Sequence, residues 1–242
     1  MKIASINVSG GFYIGNEDQE YLDRKAAEKV DDRLLKQIVD LINDESPDVV
    51  CFQEIITTEE VNYIGRIVEN TDLKFAETYE LSPCNIVKGT ECGLAILSRT
   101  EMTNVVRGLF PNPKIAKTTA SGNTYYTYDK GYLICEVGSK KILTHHGFPY
   151  GRFDSSAKDH PEVFKAFEEV IKQNDIDVVT GDFNTEDFME LLDLPDYVRT
   201  IDDVTKDGGW KLDDILVKKG VSFKSKTIKT LSDHYAIIAE IE

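Results

Sequence analysis

The chain has little with which to grip a polyanion and little with which to staple itself together. Its 242 residues include 28 Lys and Arg against 43 Asp and Glu, a net charge of −15. Sequence-independent binding of nucleic acid draws on many basic contacts to phosphate, so this balance argues against a tight polyanion binder. It does not exclude phosphate chemistry. Distant surface charge is screened within about 8 Å at physiological salt, and a bound divalent cation inverts the local potential. The four cysteines, Cys51, Cys84, Cys92 and Cys135, form no C-x-x-C pair, which speaks against a structural zinc site. Three of them fall in apolar strand-like runs, where a free thiol behaves as a small hydrophobe, so a reduced, cytoplasmic setting is expected. No apolar run approaches the roughly 20 residues of a membrane helix, so no membrane insertion is expected. The opening Met1 to Val8 has a strand-like pattern rather than a signal-peptide core. No linker, low-complexity tract or charge block interrupts the chain. One domain over 1–242, acting as a monomer, is expected.

What is present centres on Asp177-Val178-Val179-Thr180-Gly181-Asp182-Phe183-Asn184. The apolar run from Ile176 to Val179 reads as a buried strand. Gly181 breaks it, and Asp182 and Asn184 follow two residues apart. A strand ending in Gly-Asp-x-Asn lifts two polar side chains to the rim of a sheet, where α/β proteins place their chemistry. Taken alone, the stretch reads equally well as an Asx-turn leading into a helix. Other strand-like runs end in polar groups too: Asn7, Gln53-Glu54, Thr144-His145-His146 and Ser232-Asp233-His234. Together they offer carboxylates, amides and imidazoles. Magnesium takes oxygen ligands of this kind, whereas zinc would want more His or Cys. Pro47 to Glu54 also echoes Ile176 to Asp182, each an Asp-Val-Val strand ending in an acid.

Helical spacing is read over Ala27, Val30, Leu34, Ile38, Leu41 and Ile42, and over Val163, Phe164, Phe167, Val170 and Ile171. Thr57 or Thr58 is expected to cap a helix reaching Asn70, with Glu60 in its first turn. Asp159-His160-Pro161-Glu162 resembles a capping box. Pro111 to Gly122, and the stretch around Pro83, Asn85 and Gly89, read as loops. Runs of strands with few intervening helices fit two mixed sheets packed face to face with helices outside.

The ordered set Ser5-Ile6-Asn7-Val8, Phe52-Gln53-Glu54, Gly93 to Arg99, Leu143-Thr144-His145, Gly181-Asp182-Phe183-Asn184, Trp210 to Leu216 and Ser232-Asp233-His234 resembles the endonuclease/exonuclease/phosphatase superfamily, in its order and over nearly the whole chain. The resemblance implies an α/β (α+β) fold, a four-layer α-β-β-α sandwich. It implies a Mg2+- or Mn2+-dependent phosphoric ester hydrolase with a phosphorylated substrate. Glu54 would be the principal metal ligand, with Asn7 and Asp233 close to the metal. Asp182 would orient or deprotonate the attacking water. Asn184 and His234 would hold the scissile phosphate, and His145 would bind phosphate or assist the leaving group. Asp213 would orient His234, as second carboxylates fix a ring's tautomer. The chain departs from the family pattern at Asp214, where relatives usually carry an aromatic residue, and in the private stretches His146–Arg152 and Pro111–Gly122.

Each residue also has a plainer reading. Asn7 could form a strand-end turn, and Glu54 could be the first-turn acid of the next helix. His146 reads first as a satisfied structural histidine and second as a phosphate contact. Asp214 reads as a solvated strand residue, and Tyr125, Tyr126 and Tyr128 as sheet packing. Arg152 either clamps a phosphate or pairs with a surface acid. Lys218, Lys219, Lys224, Lys226 and Lys229 fit a solvated edge hairpin. A catalytically silent binding module would lack the Glu54, Asp182 or His234 positions, and all three are present. The expected substrate is a compact phosphodiester or phosphomonoester, with an endo- or exonuclease acting on DNA or RNA as the alternative.

Overall fold

The computed structural model describes residues 1–11, 32–57, 62–84, 90–120 and 122–242. Ala27, Val30, Thr58, Glu60, Asn85 and Gly89 lie outside them. One six-stranded sheet holds β1 (Lys2–Asn7), β2 (Val49–Thr57), β3 (Phe75–Pro83), β4 (Glu91–Ser98), β13 (Phe223–Lys229) and β14 (Tyr235–Ile241), in the order β13-β14-β1-β2-β4-β3. The other holds β5 (Met102–Leu109), β8 (Gly131–Val137), β9 (Lys140–His146), β10 (Val178–Asp182), β11 (Tyr197–Arg199) and β12 (Asp213–Lys218), in the order β11-β12-β10-β9-β8-β5. Both sheets are mixed: β1 runs parallel to β2 and β9 parallel to β10, while their other pairings are antiparallel. The hairpin of β6 (Ala116–Thr118) and β7 (Thr124–Tyr126) stands apart.

Side chains alternate across a strand, and here the alternation sorts them into three apolar layers. Ile3, Val49 and Cys51 face Ile142, Val178, Ile215 and Val217 between the sheets. On the outer face of the first sheet, Ala4, Ile6, Val50 and Phe52 meet Leu34, Ile38 and Ile42 of α1 (Asp32–Glu45) and Ile64 and Ile67 of α2 (Tyr63–Asn70). On the outer face of the second, Leu143, Val179 and Leu216 meet Val163, Phe164, Phe167 and Ile171 of α3 (Pro161–Asn174). The expected four-layer α-β-β-α sandwich is the observed one. A short α4 (Phe188–Leu191) follows β10.

Several local expectations need correction. Thr57 ends a strand instead of capping a helix. The cap of α2 is Asn62, whose Oδ1 accepts from the Gly65 amide at 2.7 Å. Asp159 forms no capping box: His160 occupies the cap position of α3 without a side-chain bond, and Pro161 opens the helix. The three tyrosines are not sheet packing. They lie on and just after the β6–β7 hairpin, with Tyr125, Tyr126 and Tyr128 39%, 58% and 44% exposed. Asp214 is buried, not solvated. Its carboxylate takes Arg199 Nε at 2.6 Å and the amides of Thr200 and Ile215, although burial still raises its pKa to about 6 against the pull of Arg199. The basic run is not one edge hairpin: β12, which ends at Lys218, is an inner strand of the second sheet, with Lys218 paired to Asp175 and Asp177, whereas β13 is an outer strand of the first, with Lys226 paired to Glu45 and Lys229 to Asp207.

Candidate active site

The inward faces of the strands turn polar at one end of the sandwich. Past Ile3, β1 points Asn7 between the sheets, and past Val178, β10 points Asp182. Likewise β9 points His146 past Ile142, and β12 begins with Asp213 below Ile215 and Val217. Glu54 joins them through a β-bulge. The pairing of β2 with β4 shifts register between Gln53 and Ile55, and Glu54 takes a left-handed φ of 56°. An unpaired bulge residue is re-aimed out of the sheet, here into the cluster. These groups open into a cleft of about 940 Å³ whose lining includes Glu54, His146, Asp182, Asn184 and His234.

Asp182 sits at the centre. Its carboxylate accepts from Asn7 Nδ2 at 3.1 Å, from the Asn184 amide at 2.7 Å and from Asn184 Nδ2 at 3.1 Å. The left-handed Asn184 (φ 54°) folds back to make both bonds. Asn7 Nδ2 also lies 3.5 Å from Glu54 Oε1, while its Oδ1 accepts from the Ser9 amide. Burial, and then the nearby charge of Asp213, raises the pKa of Asp182 to about 7. His234 Nδ1 lies 2.8 Å from Asp213 Oδ2, and Thr205 Oγ1 accepts the amides of Leu212 and Asp213 to hold that strand end in place. Burial works against a charged ring at His234, yet Asp213 and Asp182 outweigh it and raise the pKa to about 9. The other ring nitrogen, Nε2, lies 3.8 Å from Asp182 Oδ2 and touches Lys206 Nζ. With Nε2 protonated both groups are donors, and with Nε2 neutral it accepts from the ammonium.

The expected residues fall into two groups. Asn7, Glu54, Asp182, Asn184, Asp213, His234 and His146 are brought together. His145 is not. It lies on the outer face of β9, its ring centroid 4.4 Å from Phe167 and 4.3 Å from Phe183. Burial lowers its pKa to about 3, and neither ring nitrogen has a hydrogen-bond partner among the described residues. Gly181 (φ +149°) makes room there, since a Cβ would stand 2.2 Å from the His145 carbonyl oxygen. The period of two puts the next residue, His146, in the cleft, with Nε2 3.4 Å from Glu54 and 3.7 Å from Asp182. Burial and the charge of Lys130 push its pKa well below the ordinary value, so the ring is neutral.

The donor set suits a cation, and it shares Glu54 with the set expected from the sequence. Glu54, His146 and Asp182 each offer a ligand atom, all within 4.8 Å of one another. Asp233 stands beside the site, with Oδ1 4.0 Å from His234 Nε2, and is taken up by Ser9 Oγ and by Lys206 Nζ at 2.5 Å. Burial would raise its pKa, but His234 and Lys206 hold it down to about 2. Asn7 turns its N–H side, not its oxygen, toward the carboxylates. Lys130 and Lys206 escaped the sequence reading. Each is a lone lysine outside any motif, and an isolated β-bridge rather than a named strand sets Lys206 beside His234.

The sequence profile of the Endonuclease/Exonuclease/phosphatase family matches residues 4–234. The chain belongs to that family, whose members are hydrolases acting on phosphoesters. No curated protein matches it. Solved structures similar to it over its full length include a family protein from Leptotrichia buccalis (18% identity, 99% of that chain covered, TM-score 0.65). Others are a humanized D. rerio TDP2 (14%, 98%, 0.61) and a mannosyl-6-phosphatase from Bacteroides thetaiotaomicron (12%, 99%, 0.57). At these identities the likeness is one of fold. No helix among the described residues is long and apolar enough to cross a membrane.

Proposed function

We propose that the protein is a divalent-metal-dependent hydrolase of a compact phosphoester, with magnesium or manganese as the ion. The observation that carries this reading is the convergence, from strand ends of both sheets, of two carboxylates, two amides and a carboxylate-braced imidazole on one cleft. Glu54 and Asp182, with His146 beside them, would hold the ion, their oxygens suiting a hard cation. When bound it neutralises charge on the phosphoryl oxygens and acidifies water.

The chain's own residues do the rest. Asp182, fixed by Asn7 and Asn184, orients the attacking water and takes its proton. Burial favours the proton and a nearby cation opposes it, which keeps the carboxylate near the affinity a general base needs. His234 Nε2 and Lys206 Nζ would be a converging pair of donors for a phosphoryl oxygen, while Asn184 Nδ2 gives its two hydrogens to Asp182 and the Gly147 carbonyl and braces the base. Asp213 fixes the ring of His234 so that Nε2 points at the phosphate. Preorganised donors of this kind cost no reorganisation as charge develops in the transition state.

A nucleotide or single-stranded nucleic acid is the second reading. The cleft rim carries Tyr125, Tyr128 and Trp210, the last 52% exposed, and exposed aromatics can stack on bases. The net charge of −15 weighs against it.

The test is a magnesium panel: bis-p-nitrophenyl phosphate, sugar and inositol phosphates, nucleotides, plasmid DNA and RNA. Hydrolysis of a small ester that stops in EDTA and returns with magnesium is expected. Full activity in excess EDTA overturns the metal mechanism. Nicking of plasmid at catalytic enzyme levels, with duplex binding that falls by orders of magnitude from ~50 to ~200 mM salt, overturns the compact substrate.

A further inference from the structure

Resting on the hydrolase reading, we propose that Lys130 and Arg152 form an anion site on the cleft wall beside the reacting centre, and that the substrate carries a second phosphate there, close to the scissile one.

Both residues line the cleft. Lys130 Nζ stands 3.0 Å from Nδ1 and 3.2 Å from Nε2 of His146. A neutral imidazole has one acceptor nitrogen and an ammonium has three donors. At least two N–H groups of Lys130 therefore have no protein acceptor among the described residues. Arg152 is exposed and pairs with no acid among the described residues. In a chain of 43 acids and 28 bases an unpaired cation is not the default. The other lysines of the same cleft wall illustrate this: Lys117 pairs with Asp154, and Lys206 with Asp233.

The pairing is also unfavourable as it stands. Burial first, and then the charge of Arg152, disfavour the ammonium of Lys130, and both cations disfavour charge on His146. Glu54 and Asp182 attract Lys130 but lie beyond ion-pair distance. Like charges held together in a partly desolvated wall are relieved by an anion between them. The position of Arg152 is fixed by the hairpin. Lys117 on β6 donates to the Arg152 carbonyl oxygen at 2.8 Å and to Asp154 at 3.0 Å, and the Tyr125 ring lies 5.5 Å from that of Phe153. Lys130 touches His146, which is itself 3.4 Å from Glu54, so the site abuts the reacting centre. A guanidinium fork and an ammonium point charge lining one cleft suit the several oxygens of a phosphate.

Titration of inorganic phosphate and pyrophosphate into the protein in EDTA tests the site without metal or turnover. Pyrophosphate should bind more tightly than phosphate. Lys130→Gln and Arg152→Ala should each weaken it at least tenfold, with Lys165→Ala as a control on the exposed side of α3. No binding, or binding unchanged in both variants, overturns the site. In the turnover arm, both variants should lower at least tenfold the ratio of kcat/KM for a bisphosphate to that for its monophosphate, and an unchanged ratio overturns the substrate assignment. Pyrophosphate binding that depends on both residues, in a protein that hydrolyses nothing, supports the site and sinks the hydrolase reading alone.

Discussion

Two units of this molecule, β1–α1–β2 and β9–α3–β10, are built the same way and end differently. In each, a lysine at the start of the first strand donates its amide to the aspartate just before the second strand: Lys2 to Asp48 at 2.7 Å, Lys141 to Asp177 at 2.9 Å. Each aspartate's amide returns a bond to its lysine's carbonyl, at 2.7 and 2.9 Å. Each lysine's Nζ takes the last carbonyl of the intervening helix, from Glu45 and from Asn174. Both helices end on a left-handed residue, Ser46 (φ 49°) and Asp175 (φ 50°). At the far end, Val8 donates to Gln53 as Gly147 does to Asp182. The Asp-Val-Val echo in the sequence is therefore two copies of one βαβ frame. The rungs where they differ are Asn7 beside Gln53 and His146 beside Asp182. Gln53 spends its amide on Thr144 across the sandwich, at 2.9 Å, and the bulge behind it supplies Glu54 instead. The second strand simply stops at Asp182. The frame fixes where the rim lies, and one residue per strand fixes what the rim can do.

The sharpest break of the comparison is at the unlike rungs. Asp182→Asn should lower turnover by a factor on the order of 10² or more, whereas Gln53→Ala, which removes a strut, should cost stability first. Near-wild-type turnover in Asp182→Asn would sink its role as base. Alternation within β9 comes next. His146→Leu should lower kcat/KM at least tenfold, while His145→Leu should stay within about threefold of the wild type, since an uncharged ring among phenylalanines contacts no substrate. Equal losses in both would mean the outer-face placement of His145 does not matter.

The like rungs should behave alike. Asp48→Ala and Asp177→Ala should each destabilise by roughly 1–3 kcal/mol, the range for losing hydrogen bonds to a charged acceptor. Chemical denaturation of both variants checks this, and a cost confined to one would make the shared frame only a likeness of shape. The smallest expected effect is in the pH dependence of metal-free protein. A carboxyl raised from 3.8 to about 7 on folding costs stability as pH climbs between those values and costs most above them. Asp182→Asn removes that cost, so its Tm should exceed the wild-type value at pH 8 by a few degrees, roughly 1–2 kcal/mol, and by less at pH 5. A larger gain at pH 5 would reverse the assigned sign.

Much of this was legible in the chain. Apolar strand-like runs flanked by polar residues marked β1, β2, β9, β10 and β14, and helical spacing marked α1 and α3, because burial writes itself into local apolar pattern. The capped ends were less so. Thr57 reads as a cap by residue type, but pairing with β4 carries the strand through it. Which of two adjacent residues faces a site is a matter of register, and register is set by partners distant in sequence. That is why residue type alone does not choose between His145 and His146, or between Asp213 and Asp214: the resemblance picked Asp213 and His145, and the sheets assign Asp213 and His146 to the cleft and their neighbours to the outer side. The sequence by itself determined the family, the layered fold and the acids and amides of the centre, since these are written as local pattern. Only the tertiary structure decided that Lys130, Arg152 and Lys206 stand in the cleft, because single cations in separate loops carry no periodicity and meet only when both sheets are closed.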